Sequence, residues 1–542
     1  MTRFALLVAV LGVLSAAGCS PPPPTVVGTP LLQLNPSGKA PLSGLLTFTT
    51  DQPTRATLKI SDDEGHSLTA PRVDGFETEH ELMVLGLRPD RHNTIELDLE
   101  SESGAVAPPL TIDVETKPLP DTVPPIQVNV SRPARMEPGV TFLPVFDNDV
   151  DNVGFVVALD AQGDVVWYYN ESVDEPRRMK NGHFLMSNDG FERRRLIEVD
   201  MLGRTVREWY ATGITNDPPE GAIPVATDTF HHDVIIMPSG HFLALSTQIR
   251  HIEDYPTSDT DPSAPREPRD IAVDRIIEIV PETGEIVRSW NLFDLIDQHR
   301  ISQSFNATQF YSAAYDDIRD EPPIDWTHSN SLIYDEATDT LILSIRKMCA
   351  IIKIDLAADE LKWILSDPTG WGPEFSDLLL KPVGHVDWTY GQHAPTITPD
   401  GNLLVYDNGS WGRAYPPNEP APIEERYSRG VEFSIDEENM TVTQLWSYGG
   451  LDTDRFYSSF VGEADLLPET GNVLLVNGGQ EVDDASEPIY VGYEGDVLPR
   501  VKLSVMEVTH TMPAEKVWQI SIDTPDGGWG AYRAERLPTL YP

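Results

Sequence analysis

Cysteine is nearly missing from this chain: Cys19 and Cys349 are the only two in 542 residues. Cys19 sits in an N-terminal leader. The body therefore holds one thiol, and no intrachain disulfide is expected. Cys349 follows a strand end amid apolar residues and reads as a buried, inert thiol. Basic charge is scarce too, with 39 Lys and Arg against 86 Asp and Glu, a net of −47. Nucleic acid and anionic membrane surfaces need a basic face, which excludes both as partners. An anionic substrate can bind only where local charge opposes the whole. Long apolar runs stop after Phe4 to Leu14, and nothing later is long enough to cross a membrane. No GxxxxGKS or GxxxxGKT loop is present to cradle a nucleotide phosphate. Helix signals are few, and Leu292 to His299 is the best of them.

The leader reads MTRFALLVAVLGVLSAAGCS. Arg3 is a positive n-region, Phe4 to Leu14 an apolar h-region, and Ala16-Ala17-Gly18-Cys19 resembles a bacterial lipoprotein box. Cleavage before Cys19 and acylation of that residue are expected. An ordinary secretory signal with a chance cysteine is the alternative. Ser20, rather than Asp, directs such a lipoprotein to the outer membrane, facing the periplasm or the cell surface. Pro21 to Pro24 form a stiff spacer that holds the body off the bilayer. The membrane is thus a partner through the lipid anchor alone.

What remains is patterned as all-β. The expected division is 1–18 signal peptide, 19–24 lipidated Cys and spacer, 25–118 a small β-sandwich, and 119–542 a six-bladed β-propeller. Alternating runs such as Leu45 to Thr49, Ala56 to Ile60 and Thr94 to Leu99 make the sandwich. Four prolines mark the linker Lys117 to Pro125. Beyond it, GFVVALDAQGDVVWYY, RLIEVDMLGRTVREWY and RIIEIVPETGEIVRSW repeat one form, strand–turn–strand ending in Trp or Tyr. A second unit alternates with it, as in PSGHFLALS and DGNLLVYDNG. Paired units of this kind signal propeller blades. Ile252 to Asp270, Asp297 to Ile324 and Trp411 to Glu425 read as loop insertions.

One stretch, DWTHSNSLIYDEATDTLILSIRKMCAIIKI, sets the pattern for a site. His328 precedes one strand and Arg346 ends the next, so antiparallel pairing makes them neighbours on a rim. His232 in FHHDVIIMPSGH and His393 in GQHAPTITPDGN hold the same place in other blades. The starts of inner strands converge on the channel mouth, so three histidines and an arginine should meet there. A glycine eight residues on favours His232 over His231, which should point the other way along the strand. Three histidines can hold Zn or Mn. Arg346 would repel a cation, however, and no carboxylate shares the register, although Asp233 and Asp387 are near in sequence. The ring suits an oxyanion better, and neutral His can be a nucleophile for a sulfuryl or phosphoryl group. No metal and no cofactor are expected.

The motifs WTHSNSLIYD, TLILSIR, KWIL, GQHAPTITPDGNLLVYDNG, YSRGVEFSIDEENMTVTQLWSYG and YRAERLP resemble the bacterial arylsulfate sulfotransferases. That resemblance implies transfer of a sulfuryl group from a phenolic sulfate donor to a phenol acceptor, without a nucleotide donor. It implies a ping-pong route through a sulfurylated His393. By the same resemblance His328, His232 and Arg346 are expected to support the group, Asn330 to help position it or to make a turn-side hydrogen bond, and the protein to form a homodimer. Trp326, Trp388, Tyr390 and Trp411 are the aromatic candidates for stacking a phenol, although blade packing is the commoner use of any one. Two other readings stand beside this one. The histidines could be ligands in a metal-dependent lyase or hydrolase, or the propeller could bind a partner without catalysis. The lipoprotein reading has its own test. Cys19→Ala should move the protein out of the membrane fraction, and unchanged retention would refute acylation at that residue.

Overall fold

The computed structural model describes residues 21–542, apart from 73, 149–152, 188–191, 262, 317, 416–420, 452, 484, 490–499 and 526. The leader and Cys19 lie outside the described residues, as does part of the insertion expected between Trp411 and Glu425.

The first domain is one hydrogen-bonded sheet wrapped into two layers. Its long strand Ser43–Asp62, 20 residues, belongs to both. Ser43 to Thr49 pairs with strands Val26–Leu34 and Glu77–Leu85. Thr54 to Asp62 pairs with His92–Ser101. Alternation along the strand drives closure: Leu46, Phe48, Ala56, Leu58 and Ile60 are buried, whereas Thr49, Asp51 and Lys59 face water. The domain then docks on the rest of the chain. Ser37 Oγ donates to the Leu202 carbonyl at 2.7 Å, Arg88 reaches Asp160 and Asp164, and the Leu85 N–H donates to Tyr541 Oη at 3.1 Å.

Six further sheets follow, each of four or five strands. Neighbouring sheets touch in sequence order, the second meeting the third through Trp209 and Pro281, and the sixth returns to the first, so the sheets are blades of a ring. Both chain ends close it. Gln127–Ser131, the first strand after the linker, pairs with Lys516–Ile522 as the outermost strand of the last blade. Trp529–Gly530 and, from the YRAERLP motif, Glu535–Leu537 pair with Val140–Asp147 as the innermost strands of the first.

The tryptophans of the repeat explain how blades stay in step. Trp167, Trp209, Trp290 and Trp446 donate their indole N–H to the carbonyls of Met201, Pro281, Leu356 and Thr511, each on the following blade. Trp363 donates to Glu437 on the following blade at 3.0 Å. An indole is large, apolar and carries one donor, so it fills a blade junction and satisfies a turn in one step. At the sixth junction the Arg536 guanidinium lies 5.3 Å from the centre of Trp518 instead.

Two expectations fail here. Ile252 to Asp270 is mostly strand, not loop. Strands Phe242–Pro256 and Arg266–Val280, 15 residues each, extend the third blade into a hairpin arm. Its Pro- and Asp-rich tip hides the alternation of Ile252, Tyr255, Ile271 and Val273, which are all buried. The helix at Leu292 stops after one turn, Leu292–Leu295, capped by Asn291. A helix that no strong signal announces runs Gln309–Tyr315. Tyr311, Ala314 and Tyr315 share one buried face, so packing rather than propensity forms it.

The tail crosses the sixth blade at Gly478, whose carbonyl accepts from the Ala531 N–H at 3.3 Å. A Cβ there would meet the Ala531 carbonyl oxygen at 1.5 Å. Gly478→Ala should therefore lower unfolding free energy by about 1–3 kcal/mol or more, read from the denaturant midpoint. An unchanged midpoint would contradict so close a crossing.

Candidate active site

The inner strands of the second to sixth blades begin in an unusual conformation. At or within two residues of each start sits a residue with positive φ: Glu175, His232, His328, Ala394 and Val461, at 51°, 51°, 54°, 41° and 50°. None is glycine, and each costs on the order of 1–3 kcal/mol. Strain that recurs at one place in five blades marks that rim as a place where geometry is imposed.

His232, His328, His393 and Arg346 do meet there. The His232 and His328 ring centres are 4.8 Å apart. Ser329 pairs with Ile345, and the Arg346 N–H donates to the His328 carbonyl at 3.2 Å. The register thus puts the arginine beside the histidine. Arg346 is buried, with Nη2 3.3 Å from the Ser459 carbonyl. Tyr532 stands edge-on between His393, at 5.6 Å, and His232, at 6.2 Å.

Each histidine is anchored from behind through Nδ1, and each anchor dictates a tautomer. Behind His393 stands Asn408, with Oδ1 2.7 Å from Nδ1. The Asn408 amide nitrogen donates to the carbonyls of Ser458 and Val461, which fixes its oxygen toward His393. His393 Nδ1 therefore carries the proton. Behind His328 stands Asp325, with Oδ2 2.6 Å from Nδ1. Behind His232 stands His231, with the two Nδ1 atoms 2.9 Å apart. Around His231 Nε2 lie the Ser246 carbonyl at 3.2 Å, Tyr311 Oη at 3.4 Å and Asp274 Oδ1 at 3.5 Å. The Tyr311 hydroxyl already donates to Asp274. His231 Nε2 must then donate, its Nδ1 accepts, and His232 donates from Nδ1. All three site rings consequently keep the lone pair on Nε2.

Burial keeps them neutral. It pulls His328 down to about 4 and His231 to about 3, and holds His232 and His393 well below the usual imidazole range. Arg346 presses His393 and His328 further down, while Asp325 pulls His328 up. The Asp325 carboxyl stays below its usual range because the charges of His328 and Lys347 outweigh its burial. At neutral pH the site thus sets the Arg346 guanidinium among uncharged imidazoles, with the Asp325–Lys347 pair behind His328 and the Arg193 guanidinium over Phe310.

Several residues sit elsewhere than expected. Tyr390 stands apart from this group, donating its hydroxyl to Asp367 at 2.8 Å and packing with Cys349 and Tyr415. Asn330 lies close by, but its amide donates to the Gln392 carbonyl at 2.8 Å and so braces the residue before His393. Trp326 is core, and Trp388 packs on the Tyr390 cluster. Asp233 is held by Arg177, Arg533 and the Leu332 N–H. His231 does not point away from the site; it is the anchor of His232. Asp325 is a carboxylate directly on a site histidine, which the register argument passed over.

Other site residues went unrecognised. Phe310, on the unforeseen helix, stacks on His232 at 4.7 Å and leans over His328 at 4.1 Å. The Arg193 guanidinium covers its other contacts at 3.9 Å from the ring centre. Phe310 and Tyr532 give the site its aromatic walls. Asn408 was within reach of sequence reasoning. His393 pairs with Tyr406, so the residue just past that strand falls beside His393, as Arg346 falls beside His328.

The profile of the arylsulfotransferase (ASST) family matches residues 126–524, and that of the arylsulfotransferase Ig-like domain matches residues 31–117. Arylsulfate sulfotransferase AssT of Lelliottia amnigena is 29% identical over 251 residues, and that of Escherichia coli O6:H1 is 28% identical over 251. Each alignment spans 40% of this chain and 41% of the relative. Among solved structures, a luciferin-regenerating enzyme overlays at 10% identity and a TM-score of 0.30, covering 74% of this chain and 97% of its own. That overlay is too loose to bear on the fold.

The depressed histidine pKa values make a stability prediction. Between the folded pKa and about 6.5 the unfolded chain binds protons that the fold refuses, so stability is full above that window and falls as pH drops through it. His231→Phe should remove up to about 2 kcal/mol of the fall in unfolding free energy between pH 7 and 5, measured by denaturation at both. An unaltered pH slope would mean that His231 is not held neutral. The ring, its anchors and the profile over most of the chain converge on one assignment: the chain belongs to the arylsulfotransferase family.

Proposed function

We propose that this protein is an arylsulfate sulfotransferase, moving a sulfuryl group from a phenolic sulfate to a phenol by a ping-pong route through His393. The observation that carries the reading is the Asn408–His393 pair. An imidazole held as the Nδ1–H tautomer, kept neutral by burial and Arg346, presents an Nε2 lone pair beside a guanidinium. That is what attack on an anionic sulfur centre requires.

In the first half, His393 Nε2 bonds to sulfur and the S–O bond to the aryl group breaks. Arg346 and the neighbouring imidazoles meet the charge on the sulfuryl oxygens. The aryl ring stacks against Phe310 and Tyr532. In the second half, an acceptor phenol takes the group back by the reverse steps. Family membership, the Arg346 guanidinium beside the imidazoles and the aromatic walls support this reading. The lipoprotein box at Cys19 would set the chemistry outside the cytoplasm, where a sulfate ester rather than a nucleotide is the natural donor.

The test is nitrophenol release from 4-nitrophenyl sulfate. The rate should rise steeply when a phenol is added, because water is a poor substitute within a buried ring of side chains. Equal rates with and without phenol would make the protein a sulfatase. Arg346→Ala should cost on the order of 100- to 1,000-fold in turnover, and His393→Asn should abolish it.

A further inference from the structure

Sulfuryl transfer needs a group that gives a proton to the leaving oxygen and takes one from the acceptor. We infer that His328 is that group, and that Asp325 and Lys347 are the positioning residues that set its hold on the proton. The inference rests on the transfer reading above.

The three anchors behind the site rings differ in charge, and that difference selects His328. Asn408 is a neutral amide, and His393 uses its Nε2 to bond sulfur. His231 is a neutral imidazole, so it can orient His232 but cannot offset a charge on it. Only Asp325 is a carboxylate, 2.6 Å from its histidine. A buried carboxylate behind an imidazole stabilises the imidazolium that forms when the other nitrogen takes a proton.

Lys347 works against that pull. It is buried, and its ammonium donates to the Asp325 carbonyl at 2.7 Å and lies 3.2 Å from Asp325 Oδ2. The register that sets Arg346 beside His328 also sets Lys347 behind it, since the Lys347 N–H donates to the Thr327 carbonyl. A carboxylate shared between an ammonium and an imidazole binds the imidazole proton less tightly than one devoted to it. Other charged and titratable groups face His328 as well. Arg346 lies on the neighbouring strand end, and His231, His232 and His393 lie on the flanking blades. Asp274 accepts from the Ser329 N–H just past it. Phe310, the group over its face from the helix, is uncharged.

The opposition suits a reaction that runs in both directions. Held by Asp325 alone, His328 would keep its proton and act only as an acid. Balanced by Lys347, it can give the proton up and take it back. The sulfate ester arrives as an anion beside Arg346, and its charge draws a solvent proton onto His328 Nε2. As the His393 Nε2–S bond forms and the S–O bond breaks, the electron pair goes to the aryl oxygen. His328 passes that oxygen its proton, and phenol leaves. The acceptor phenol then gives its proton to His328 Nε2, its oxygen bonds to sulfur, and the N–S pair returns to His393.

The experiment compares Asp325→Asn with Lys347→Met across pH, using phenyl sulfate, a poor leaving group, and 4-nitrophenyl sulfate, a good one. The two variants remove opposite charges from one pair. The alkaline limb of kcat/KM should move to lower pH in Asp325→Asn and to higher pH in Lys347→Met, with Lys347→Gln following Lys347→Met. Asp325→Asn should also lose about 100-fold on phenyl sulfate and far less on 4-nitrophenyl sulfate. Limbs that move together or stay still, or equal losses on both donors, would overturn the inference. Absence of any transfer by the wild type would instead overturn the transfer reading. Should a variant not fold, ring-15N spectra of the histidine-labelled full chain with saturating inorganic sulfate decide the matter. The His328 ring should be protonated at both nitrogens, and a ring still bare at Nε2 refutes the assignment.

Discussion

Everything in this ring depends on one contact repeated from blade to blade: an indole N–H crossing to a turn of the next sheet. Trp167, Trp209, Trp290, Trp363 and Trp446 make it. Each fills an apolar junction and leaves no donor unpaired. Fixed junctions fix the angle between sheets, and that angle brings five inner-strand starts to one rim. The two chain ends then remove the remaining freedom. The first strand after the linker covers the last blade, and the tail becomes the inner edge of the first. Tyr532 reaches the site on that same tail, so closure of the fold and completion of the site are one event.

At the rim, the physics turns on what stands behind each imidazole. The chain carries a net charge of −47, yet the site offers an anion a guanidinium among neutral rings. Burial holds the rings neutral, and their anchors decide which nitrogen faces the substrate. The left-handed residues at the strand starts are the cost of aiming those side chains into one space. Three anchors of different chemistry, an amide, a carboxylate and a second imidazole, stand behind three chemically similar rings.

The fold was legible because its two signals are periodic. Alternation marked the strands, and the recurring terminal Trp marked the blades. Both failed where composition masked them. At Thr257 to Pro265 a polar tip concealed a long hairpin. At Gln309 to Tyr315 a helix too short to hold itself is made by burial of Tyr311 and Tyr315. The site was legible where strand register could be followed, which is why His328 and Arg346 were placed together. It was obscure wherever a contact spans distant segments. Phe310 and Tyr532 lie near no motif histidine in sequence, and Tyr390, which does, packs on Cys349 and Tyr415 instead. Asp325 and Asn408 were close to hand, three residues before one histidine and just past the strand that pairs with another. Residues that aim a ring carry no pattern of their own, so sequence reading finds the ring first.

The central claim is that a covalent bond forms between sulfur and Nε2 of His393, an atom freed for attack because Asn408 holds the proton on Nδ1. Mass spectrometry of the protein after exposure to 4-nitrophenyl sulfate alone, kept at mildly alkaline pH to preserve an N–S bond, addresses it directly. The account predicts one added SO3 on the peptide containing His393, discharged when phenol is supplied. The same mass on the His328 or His232 peptide, or robust turnover in His393→Asn, would contradict it.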